Sequence, residues 1–473
     1  MGKGCLLLRI DEEVLYQASL RSQQIALRNE GSAITYAELA RQIGEIKDSI
    51  FQRGLMPGER VALCLPNRLD YLVWFLGIIH AGLVASPINP RLIDSERRQM
   101  LKALRPVLII EEKAGVLSWK KKPDHKDAYD GEDDLFYIGY TSGTTGIPKG
   151  IRRTHKSWVD SFFAMSKEFG MDDASVLLLP GPLYYSGSLI AGLHGLFIGA
   201  TVEVHETFDP RRVCQRLTES DVNTLYMVPT MYRDVVNAQG EKPNQHTITM
   251  ITAGDKMAVT TKEKLMAVFP NAALYEYYGT SEVGFVSLLS PSDQLRKPES
   301  VGKPFYKAEV RCIDDEIQVR STMGFSGYDG PDATLHFEKL LREDGFLATS
   351  DWGYIDDEGY LYVTGRQHDK MVVGGVNIYP REMETVMERH PNIKEVAVLA
   401  MPDERLGEVP VAFIVMVDRH GSAKEIDEYI KTHLSGYKRP RFWWQIESLP
   451  RNATGKVLKS ALLHEILQKS KLD

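Results

Sequence analysis

Residues 135–150 read LFYIGYTSGTTGIPKG and join an apolar, aromatic run to a loop rich in glycine and hydroxyl side chains. The run LFYIGY is typical of a buried strand. In the loop, glycines allow backbone N–H groups to turn inward, hydroxyl groups add further donors, and Lys149 adds a positive charge. We therefore predict a strand that leads into a polyphosphate-binding loop, with a polar surface turn as the alternative. The loop residues in this prediction are Thr141, Ser142, Gly143, Thr144, Thr145, Gly146 and Lys149.

The segments on both sides of this strand alternate helical and strand patterns. The helical segment that follows Thr35 has Glu38 at the capping-box spacing, a signature of a helix N-terminus. RVALCLP (60–66) and GLVASPI (82–88) are continuous apolar runs, as in strands buried on both faces. The alternation continues after the loop in ASVLLLP, SLIAGLHGLFIG, TVEVHE, VNTLYMVP and MITAG. This order predicts an α/β fold with parallel sheets.

The pattern changes twice in the C-terminal part of the chain. From about residue 300 the sequence shows short strands and turns, with a hairpin signal at DDEG (356–359). After Gly365 an α+β pattern follows, with a helix that begins near Pro380. We therefore predict an N-terminal domain over residues 1–365 and a compact C-terminal domain over residues 366–473.

Composition and charge exclude several classes of protein. The formal net charge is -7, so there is no excess of basic residues that would indicate a nucleic-acid partner. The four cysteines lie far apart, which argues against a disulfide framework or a zinc site and favours the cytoplasm. YLVWFLGIIHAGLVASPIN (71–89) is too short and too interrupted for a transmembrane segment, and it predicts a buried helix followed by a buried strand. We expect a soluble cytoplasmic protein, with a polar linker over residues 118–134.

Three further motifs contain side chains suited to nucleotide chemistry. YEYYGTSEVG (275–284) combines aromatic rings that can stack on a base with Glu282, which can hold Mg²⁺. Asp351 and Arg366, at the two ends of a predicted hairpin, are suited to ribose hydroxyls. Lys456 lies on a glycine turn in LPRNATGKVLK (449–459). Taken alone, the motif at 275–284 is by default a structural turn, and a lone lysine such as Lys456 is usually a solvated surface charge.

Taken together and in this order, these motifs and GGVNIYPREME (374–384) resemble those of the adenylate-forming enzymes. That family includes acyl-CoA synthetases, aryl-CoA ligases, adenylation domains of peptide synthetases and luciferase-like proteins. The resemblance extends from about Thr35 to Lys459. It implies a large N-terminal domain with a small barrel-like β subdomain, followed by a small mobile C-terminal domain. It also implies two half-reactions, in which a carboxylate attacks the α-phosphate of Mg·ATP and a thiol then displaces AMP.

The resemblance assigns a role to individual residues of this sequence. The loop 141–149 would hold the β- and γ-phosphates, and Asp351 and Arg366 would bind the ribose. The implied catalytic residues are Lys456, which would contact carboxylate and α-phosphate oxygens, Lys149, and the Mg²⁺ ligand Glu282. Adenine and the α-phosphate are assigned to Tyr278, Gly279, Thr280 and Ser281, the acyl pocket to Tyr185, Gly187 and Gly254, and the coenzyme A tunnel to Gly374 and Gly375.

Three positions depart from the family pattern. Ser281 stands where threonine is usual, and its hydroxyl still suits an α-phosphate oxygen. Tyr185 stands where many relatives have histidine or another aromatic residue at the mouth of the acyl pocket. His368 stands at the pivot of the implied domain rotation, where aspartate or lysine is common. Because the charge of histidine depends on pH, the rate and pH dependence of that rotation are left open.

The leading hypothesis is an AMP-forming acyl-CoA synthetase for a carboxylic acid, in the first place a fatty acid, that uses ATP, Mg²⁺ and coenzyme A. The segments SLIAGLHGLFIGA (188–200) and VPTMY (228–232) are mostly apolar and contain no lysine or arginine, which favours a monocarboxylic acid over a diacid. One alternative is a ligase that loads an acyl-carrier protein, and another is an aryl- or o-succinylbenzoate-CoA ligase. A nucleotide-binding module or a phosphotransferase is the alternative from another class. Chain length of the acid and oligomeric state stay open, with a homodimer as one alternative.

Overall fold

The computed structural model of this protein forms two compact units. The first comprises Met1–Val310 and Val319–Thr349, and the second comprises Arg311–Gln318 and Ser350–Asp473. The predicted domain boundary between residues 365 and 366 stays a prediction. The residues that the structure describes are 8–113, 116–121, 134–141, 149–219, 221–330, 333–366, 371–373, 376–403, 405–417, 422–451, 457–459 and 461–462.

Helices and strands alternate along most of the chain, as predicted for an α/β fold. The helices are α1 (Ile10–Leu20), α2 (Tyr36–Gln52), α3 (Tyr71–His80), α4 (Asp94–Leu104), α5 (His155–Phe169), α6 (Ser186–Phe197), α7 (Pro210–Glu219), α8 (Pro229–Gln239), α9 (Val259–Val268), α10 (Ala333–Leu340), α11 (Pro380–Met387) and α12 (Ala423–His433). The strands are β1 (Ile25–Arg28), β2 (Ala33–Thr35), β3 (Arg60–Cys64), β4 (Val84–Pro87), β5 (Leu108–Lys113), β6 (Val116–Lys121), β7 (Leu135–Thr141), β8 (Lys149–Thr154), β9 (Val176–Leu179), β10 (Thr201–Val204), β11 (Thr224–Tyr226), β12 (Ile248–Thr252), β13 (Ala272–Thr280), β14 (Gly284–Leu289), β15 (Lys303–Pro304), β16 (Glu309–Ile313), β17 (Glu316–Arg320), β18 (Gly327–Asp329), β19 (Leu347–Ile355), β20 (Leu361–Arg366), β21 (Met371–Val373), β22 (Val376–Ile378), β23 (Ile393–Asp403), β24 (Gly407–Met416) and β25 (Phe442–Gln445).

The larger sheet of the first unit has nine strands when counted over the described residues, in the order β15-β14-β13-β12-β11-β9-β10-β1-β2. The six strands from β13 to β1 in this order pair in parallel. At the two edges, β2, β14 and β15 pair antiparallel. Leu177, Leu178 and Leu179 of β9 are fully buried. This confirms the prediction of parallel strands with both faces covered.

The second sheet of the first unit, taken over the described part of the chain, has the order β18-β8-β7-β4-β3-β5-β6. Its β3, β4, β5 and β7 pair in parallel, whereas β6, β8 and β18 pair antiparallel. Strands β7 and β8 flank the glycine- and hydroxyl-rich loop and place Thr141 opposite Lys149. The predicted strand before the loop is therefore confirmed.

Two predictions about helices are also confirmed. Thr35 is the N-cap of α2, and its side chain accepts a hydrogen bond from the backbone N–H of Glu38. The stretch 71–89 contains the buried helix α3 and then the buried strand β4. No helix among the described residues is long and apolar enough to cross a membrane.

The predicted linker over residues 118–134 is wrong for residues 118–121, which belong to β6. This strand pairs antiparallel with β5. The Trp119 ring packs edge-on against Trp74, with 4.7 Å between ring centroids, and the Arg53 guanidinium lies 4.3 Å from the Trp119 ring. An aromatic anchor of this kind stabilises the strand despite its neighbouring lysines. Residues 122–133 lie outside the described part of the chain.

The second unit contains two smaller sheets among its described residues. Most residues of the sheet β16-β17-β19-β20 belong to this unit, and β19 and β20 form the predicted antiparallel hairpin. The other sheet has the order β22-β21-β24-β23, with β25 parallel to β24. Its apolar core includes Met371, Met383, Met387 and Ile426 from the sheet and from helices α11 and α12. Pro380 begins α11, as predicted.

Candidate active site

The residues predicted for the acyl pocket and the nucleotide follow parallel strands of the larger sheet. Tyr185 and Gly187 follow β9, Gly254 follows β12, and Tyr278 to Glu282 end β13 and begin the turn to β14. Since the carboxyl ends of parallel strands meet at one edge of a sheet, these segments share that edge. This edge is where open α/β sheets commonly bind ligands.

The turn that carries Glu282 has a tightly constrained backbone. A bulge interrupts the pairing of β13 and β14 between Tyr278 and Gly279. A Cβ atom on Gly279 would lie 2.2 Å from the carbonyl oxygen of Gly284, so only glycine fits there. The Thr280 hydroxyl accepts a hydrogen bond from the N–H of Val283 at 3.3 Å, and the Glu282 carbonyl accepts one from the N–H of Phe325 at 2.7 Å. The predicted motif is thus a rigid turn.

The Glu282 carboxylate and the Lys149 ammonium meet at one phenol, that of Tyr328. The Tyr328 hydroxyl donates to Glu282 Oε1 at 3.1 Å, and Lys149 Nζ lies 5.7 Å from the centroid of the Tyr328 ring. Burial, followed by the charge of Glu282, raises the pKa of Tyr328, so the phenol keeps its proton. Two residues predicted from separate motifs are thereby brought to the same side chain.

A buried ion pair fixes the strand that carries Tyr328. Strand β18 pairs antiparallel with β8, with Asp329 opposite Gly150. The Asp329 carboxylate accepts two hydrogen bonds from the Arg60 guanidinium of β3, at 2.8 and 3.0 Å, and one from the Tyr140 hydroxyl at 3.2 Å. The Arg60 and Asp329 side chains are 4% and 5% exposed. A two-pronged contact of this kind fixes the register of β18 and thus the position of Tyr328.

The side chains assigned to the acyl pocket have neighbours that the sequence did not indicate. The Tyr185 hydroxyl accepts a hydrogen bond from Asn89 Nδ2 at 3.2 Å, and burial raises the pKa of Tyr185. A Cβ atom on Gly187 would lie 2.2 Å from the Tyr226 hydroxyl, so a phenol occupies the space beside this glycine. The Tyr226 and Tyr277 hydroxyls lie 3.3 Å apart. Gly254 is exposed and has a φ angle of +96°, which favours glycine.

The other predicted residues lie in the second unit or outside the described residues. Asp351 is buried and pairs with the backbone of Arg366 in the β19–β20 hairpin. The Arg366 side chain and that of Thr141 are outside the described residues, although their backbones are in strands. The predicted residues that lie wholly outside the described part are Ser142, Gly143, Thr144, Thr145, Gly146, His368, Gly374, Gly375 and Lys456.

The donor set at Glu282 fits Mg²⁺ that is bound together with a nucleotide. Magnesium is usually held by one or two carboxylates plus substrate phosphates and water, not by a cage of protein ligands. The described residues contain no group of three or more His, Cys, Asp or Glu side chains arranged to hold a metal ion. Glu282 would supply one carboxylate oxygen, and the phosphates would supply others.

Tyr328 and Arg153, which both contact the Glu282 turn, were not predicted as site residues from the sequence. Signals for them exist in the sequence. The short segment SGYDG (326–330) places Tyr328 beside an acid, and KGIRRT (149–154) places arginines in a strand directly after the phosphate loop. Arg60 likewise begins the otherwise apolar run RVALCLP. Charged residues in short buried strands are expected to be paired, but the sequence does not name their partners.

Comparison with known proteins matches residues 15–327 to the AMP-binding enzyme family and residues 382–456 to the AMP-binding enzyme C-terminal domain. The chain is 32% identical over 467 residues to an uncharacterised acyl-CoA ligase of Bacillus subtilis, covering 92% of this chain and 94% of that protein. It is 30% identical over 476 residues to a long-chain-fatty-acid–CoA ligase of Mycobacterium tuberculosis, covering 91% and 92%. A 2-succinylbenzoate–CoA ligase of Oceanobacillus iheyensis is 29% identical over 467 residues, covering 92% and 94%.

The fold agrees with these matches. The structure resembles that of an o-succinylbenzoate-CoA synthetase of Bacillus subtilis in complex with its acyl-adenylate intermediate, with a TM-score of 0.84, 26% identity and coverage of 95% of this chain and 97% of that chain. Another structure of that synthetase contains ATP and a magnesium ion. The chain therefore belongs to the AMP-binding, or adenylate-forming, enzyme family and is of its acyl-CoA synthetase type.

Proposed function

We propose that this chain is an AMP-forming acid–thiol ligase that activates a carboxylic acid with Mg·ATP and transfers the acyl group to coenzyme A. The observation that supports this function best is the group formed by Lys149, Tyr328 and Glu282. It holds a cation and a metal-binding carboxylate on one phenol, next to the loop between Thr141 and Lys149. That arrangement suits a polyphosphate with its divalent cation, because the Lys149 ammonium can meet the negative phosphates and the Glu282 carboxylate can meet the cation.

The proposed chemistry has two steps. In the first, a carboxylate oxygen attacks the α-phosphorus of ATP, the bond to the bridging oxygen breaks, and pyrophosphate leaves. In the second, the sulfur of the thiol attacks the acyl carbon, loses its proton, and AMP leaves with the electrons of the broken acyl–oxygen bond. Two anions must approach each other in the first step, so cations such as Lys149 and Lys456 lower its barrier.

The proposed substrate is a monocarboxylic acid, with fatty acids first. Helix α6, which follows Tyr185, is buried over most of its length, and its His194 is a neutral residue because burial lowers its pKa to about 3. The family resemblance implies that this helix lies beside the acyl pocket, where its mostly apolar side chains would suit an alkyl or aryl chain. The long-chain-fatty-acid–CoA ligase among the relatives supports this choice. The 2-succinylbenzoate–CoA ligases among them make an aromatic diacid the competing substrate.

The decisive experiment measures pyrophosphate release and thioester formation from Mg·ATP with a panel of acids, with and without coenzyme A. The panel contains fatty acids of increasing length, benzoate and 2-succinylbenzoate. We expect AMP, pyrophosphate and a thioester for one class of acid. Release of ADP would contradict adenylation. A thioester formed only with 2-succinylbenzoate would contradict the proposed monocarboxylic substrate but leave the ligase reaction in place.

Matched glutamate variants link this reaction to the candidate site. We expect Glu282→Gln to abolish most pyrophosphate release, whereas Glu263→Gln, on the exposed surface of α9, leaves it unchanged. Adenylate that forms without a thioester would favour an acyl-carrier protein as the acceptor, and the same assay with a carrier protein would then test it. The cytoplasmic location and the oligomeric state stay predictions.

A further inference from the structure

Arg153 is a buried arginine in β8, the strand that begins with Lys149. It is 6% exposed. Its Nη1 donates to the carbonyl oxygen of Ser281 at 3.1 Å, its Nη2 to the carbonyl oxygen of Met323 at 2.5 Å, and its Nε to the Ser157 hydroxyl at 3.2 Å. These acceptors are uncharged. A buried guanidinium bound to neutral oxygens is costly, so an apolar side chain would serve a purely structural purpose better.

The two carbonyl groups that Arg153 binds belong to the Glu282 turn and to a second segment that contacts it. Ser281 immediately precedes Glu282, and the Glu282 carbonyl is itself bonded to the N–H of Phe325, close to Met323. The Met323 backbone also lies close to Gly284, where β14 begins, because a Cβ atom on Gly284 would lie 2.5 Å from the Met323 carbonyl oxygen. The guanidinium therefore joins the turn to the segment that packs against it.

Arg153 also connects this turn to the phosphate-binding side of the site. Lys149, Ile151 and Arg153 occupy every second position of β8, so their side chains lie on the same face of the strand. Lys149 lies over the ring of Tyr328, and the Tyr328 hydroxyl donates to Glu282. Through Arg153, strand β8 thus holds the Ser281 carbonyl directly before Glu282, and through Lys149 and Tyr328 it approaches the Glu282 carboxylate.

We propose that Arg153 is a positioning residue for the binding of the metal–nucleotide complex: it fixes Glu282 relative to Lys149 so that one carboxylate oxygen and one ammonium group meet Mg²⁺ and the phosphates together. This inference rests on the proposed function, in which Glu282 is the Mg²⁺ ligand. Groups that orient a metal ligand typically change metal affinity or activity by about 10- to 100-fold when they are lost.

The test compares ATP binding by calorimetry in the presence of Mg²⁺ and in the presence of EDTA, for the full chain and its Arg153→Met variant. We expect the variant to bind Mg·ATP about 10- to 100-fold more weakly, while its affinity for metal-free ATP changes less than about threefold. Arg153→Lys keeps the charge but loses the forked donors, so its Mg·ATP affinity is expected to lie between those of the wild type and Arg153→Met. It replaces Arg153→Met in the test if that variant does not fold. Ser157→Ala is the matched control, because it removes the guanidinium contact that does not lead to the Glu282 turn.

The outcomes separate this inference from the proposed function. Equal losses with and without Mg²⁺, or a lower melting temperature with unchanged Mg·ATP affinity, would show that Arg153 is structural only and would overturn the inference. A wild-type chain whose ATP binding does not respond to Mg²⁺ would overturn the proposed role of Glu282 and the inference with it. An Mg²⁺-specific loss in both Arg153 variants, absent in Ser157→Ala, would support the inference.

Discussion

A single hydroxyl group, that of Tyr328, orients the carboxylate of the candidate metal ligand. Tyr328→Phe removes the donor that lies 3.1 Å from Glu282 and keeps the ring beneath Lys149. We expect the Mg²⁺ concentration for half-maximal pyrophosphate release to rise about tenfold, with little change in stability. A Mg²⁺ titration of initial rates checks this prediction. An unchanged Mg²⁺ requirement with a lower melting temperature would mean that the hydroxyl serves only the fold.

Gly279 is a residue of the same turn at which the structure leaves no room for a side chain. Because an added Cβ would lie 2.2 Å from the Gly284 carbonyl oxygen, Gly279→Ala must distort the turn that carries Glu282. We expect a loss of about 1–3 kcal/mol in the free energy of unfolding and a loss of nucleotide affinity. Gly44→Ala in α2 is the control, since no atom lies within 4 Å of its added Cβ. It is expected to stabilise the protein by about 0.5–1 kcal/mol in urea unfolding.

At the scale of elements, Glu203 of β10 joins its own strand to the neighbouring strand β1 and to helix α7. At the end of β10, its carboxylate accepts hydrogen bonds from Arg28 of β1 at 2.7 Å and from Arg216 of α7 at 2.6 Å. Burial alone would raise the pKa of Glu203, but the interactions with His205, Arg216 and Arg28 outweigh burial and lower this pKa from 4.5 to about 2. A lowered pKa means that the contribution to stability is complete above pH 4.5 and is lost as the pH falls towards 2.

The corresponding variant is Glu203→Gln. At pH 7 we expect it to be about 3 kcal/mol less stable than the wild type, because the two arginines lose their charged partner. The difference should shrink as the pH falls below about 4.5, because the carboxylate of the unfolded wild-type chain then takes up a proton, whereas the folded one, with a pKa of about 2, stays charged. Urea unfolding at about pH 7, 4 and 3 measures this, with the exposed Glu45→Gln as a control that changes little at any pH. A pH-independent difference would contradict the linkage.

At the scale of the whole molecule, the residues assigned to the reaction are divided between two units with separate cores. Lys149 and Glu282 belong to the first unit, and Asp351 belongs to the second. Enzymes of this kind commonly use movements of one part against another to separate successive steps. Lys456, which lies outside the described residues, is assigned to the first step alone by the family resemblance.

The prediction for Lys456 therefore separates the two half-reactions. Lys456→Ala is expected to reduce acyl-adenylate formation severely, because the charge that offsets the approach of two anions is lost. Thioester formation from supplied acyl-adenylate should be affected much less. Both rates are measured in single-turnover experiments with Lys459→Ala as the neighbouring control. Equal losses in the two steps would contradict a role confined to adenylation.

The local parts of this molecule were predictable because they depend on neighbours in the sequence. Continuous apolar runs such as 60–66 predicted buried parallel strands, and Thr35 predicted the start of α2. The strand that leads into the glycine- and hydroxyl-rich segment was predicted correctly from its apolar and aromatic run. The ordered motifs also predicted the family to which the chain belongs.

The sequence by itself thus determined the alternation of helices and strands, the class of fold and the types of side chain expected at the site. Only the tertiary structure decided that Arg153, Glu282 and Tyr328 meet, because Arg153 and Ser281 are 128 positions apart and Tyr328 and Glu282 are 46 apart. These contacts depend on β18 pairing with β8 and on the bulge at Gly279. Hydrophobic periodicity indicates which face of a helix or strand is buried, but it does not indicate which distant strand packs against that face.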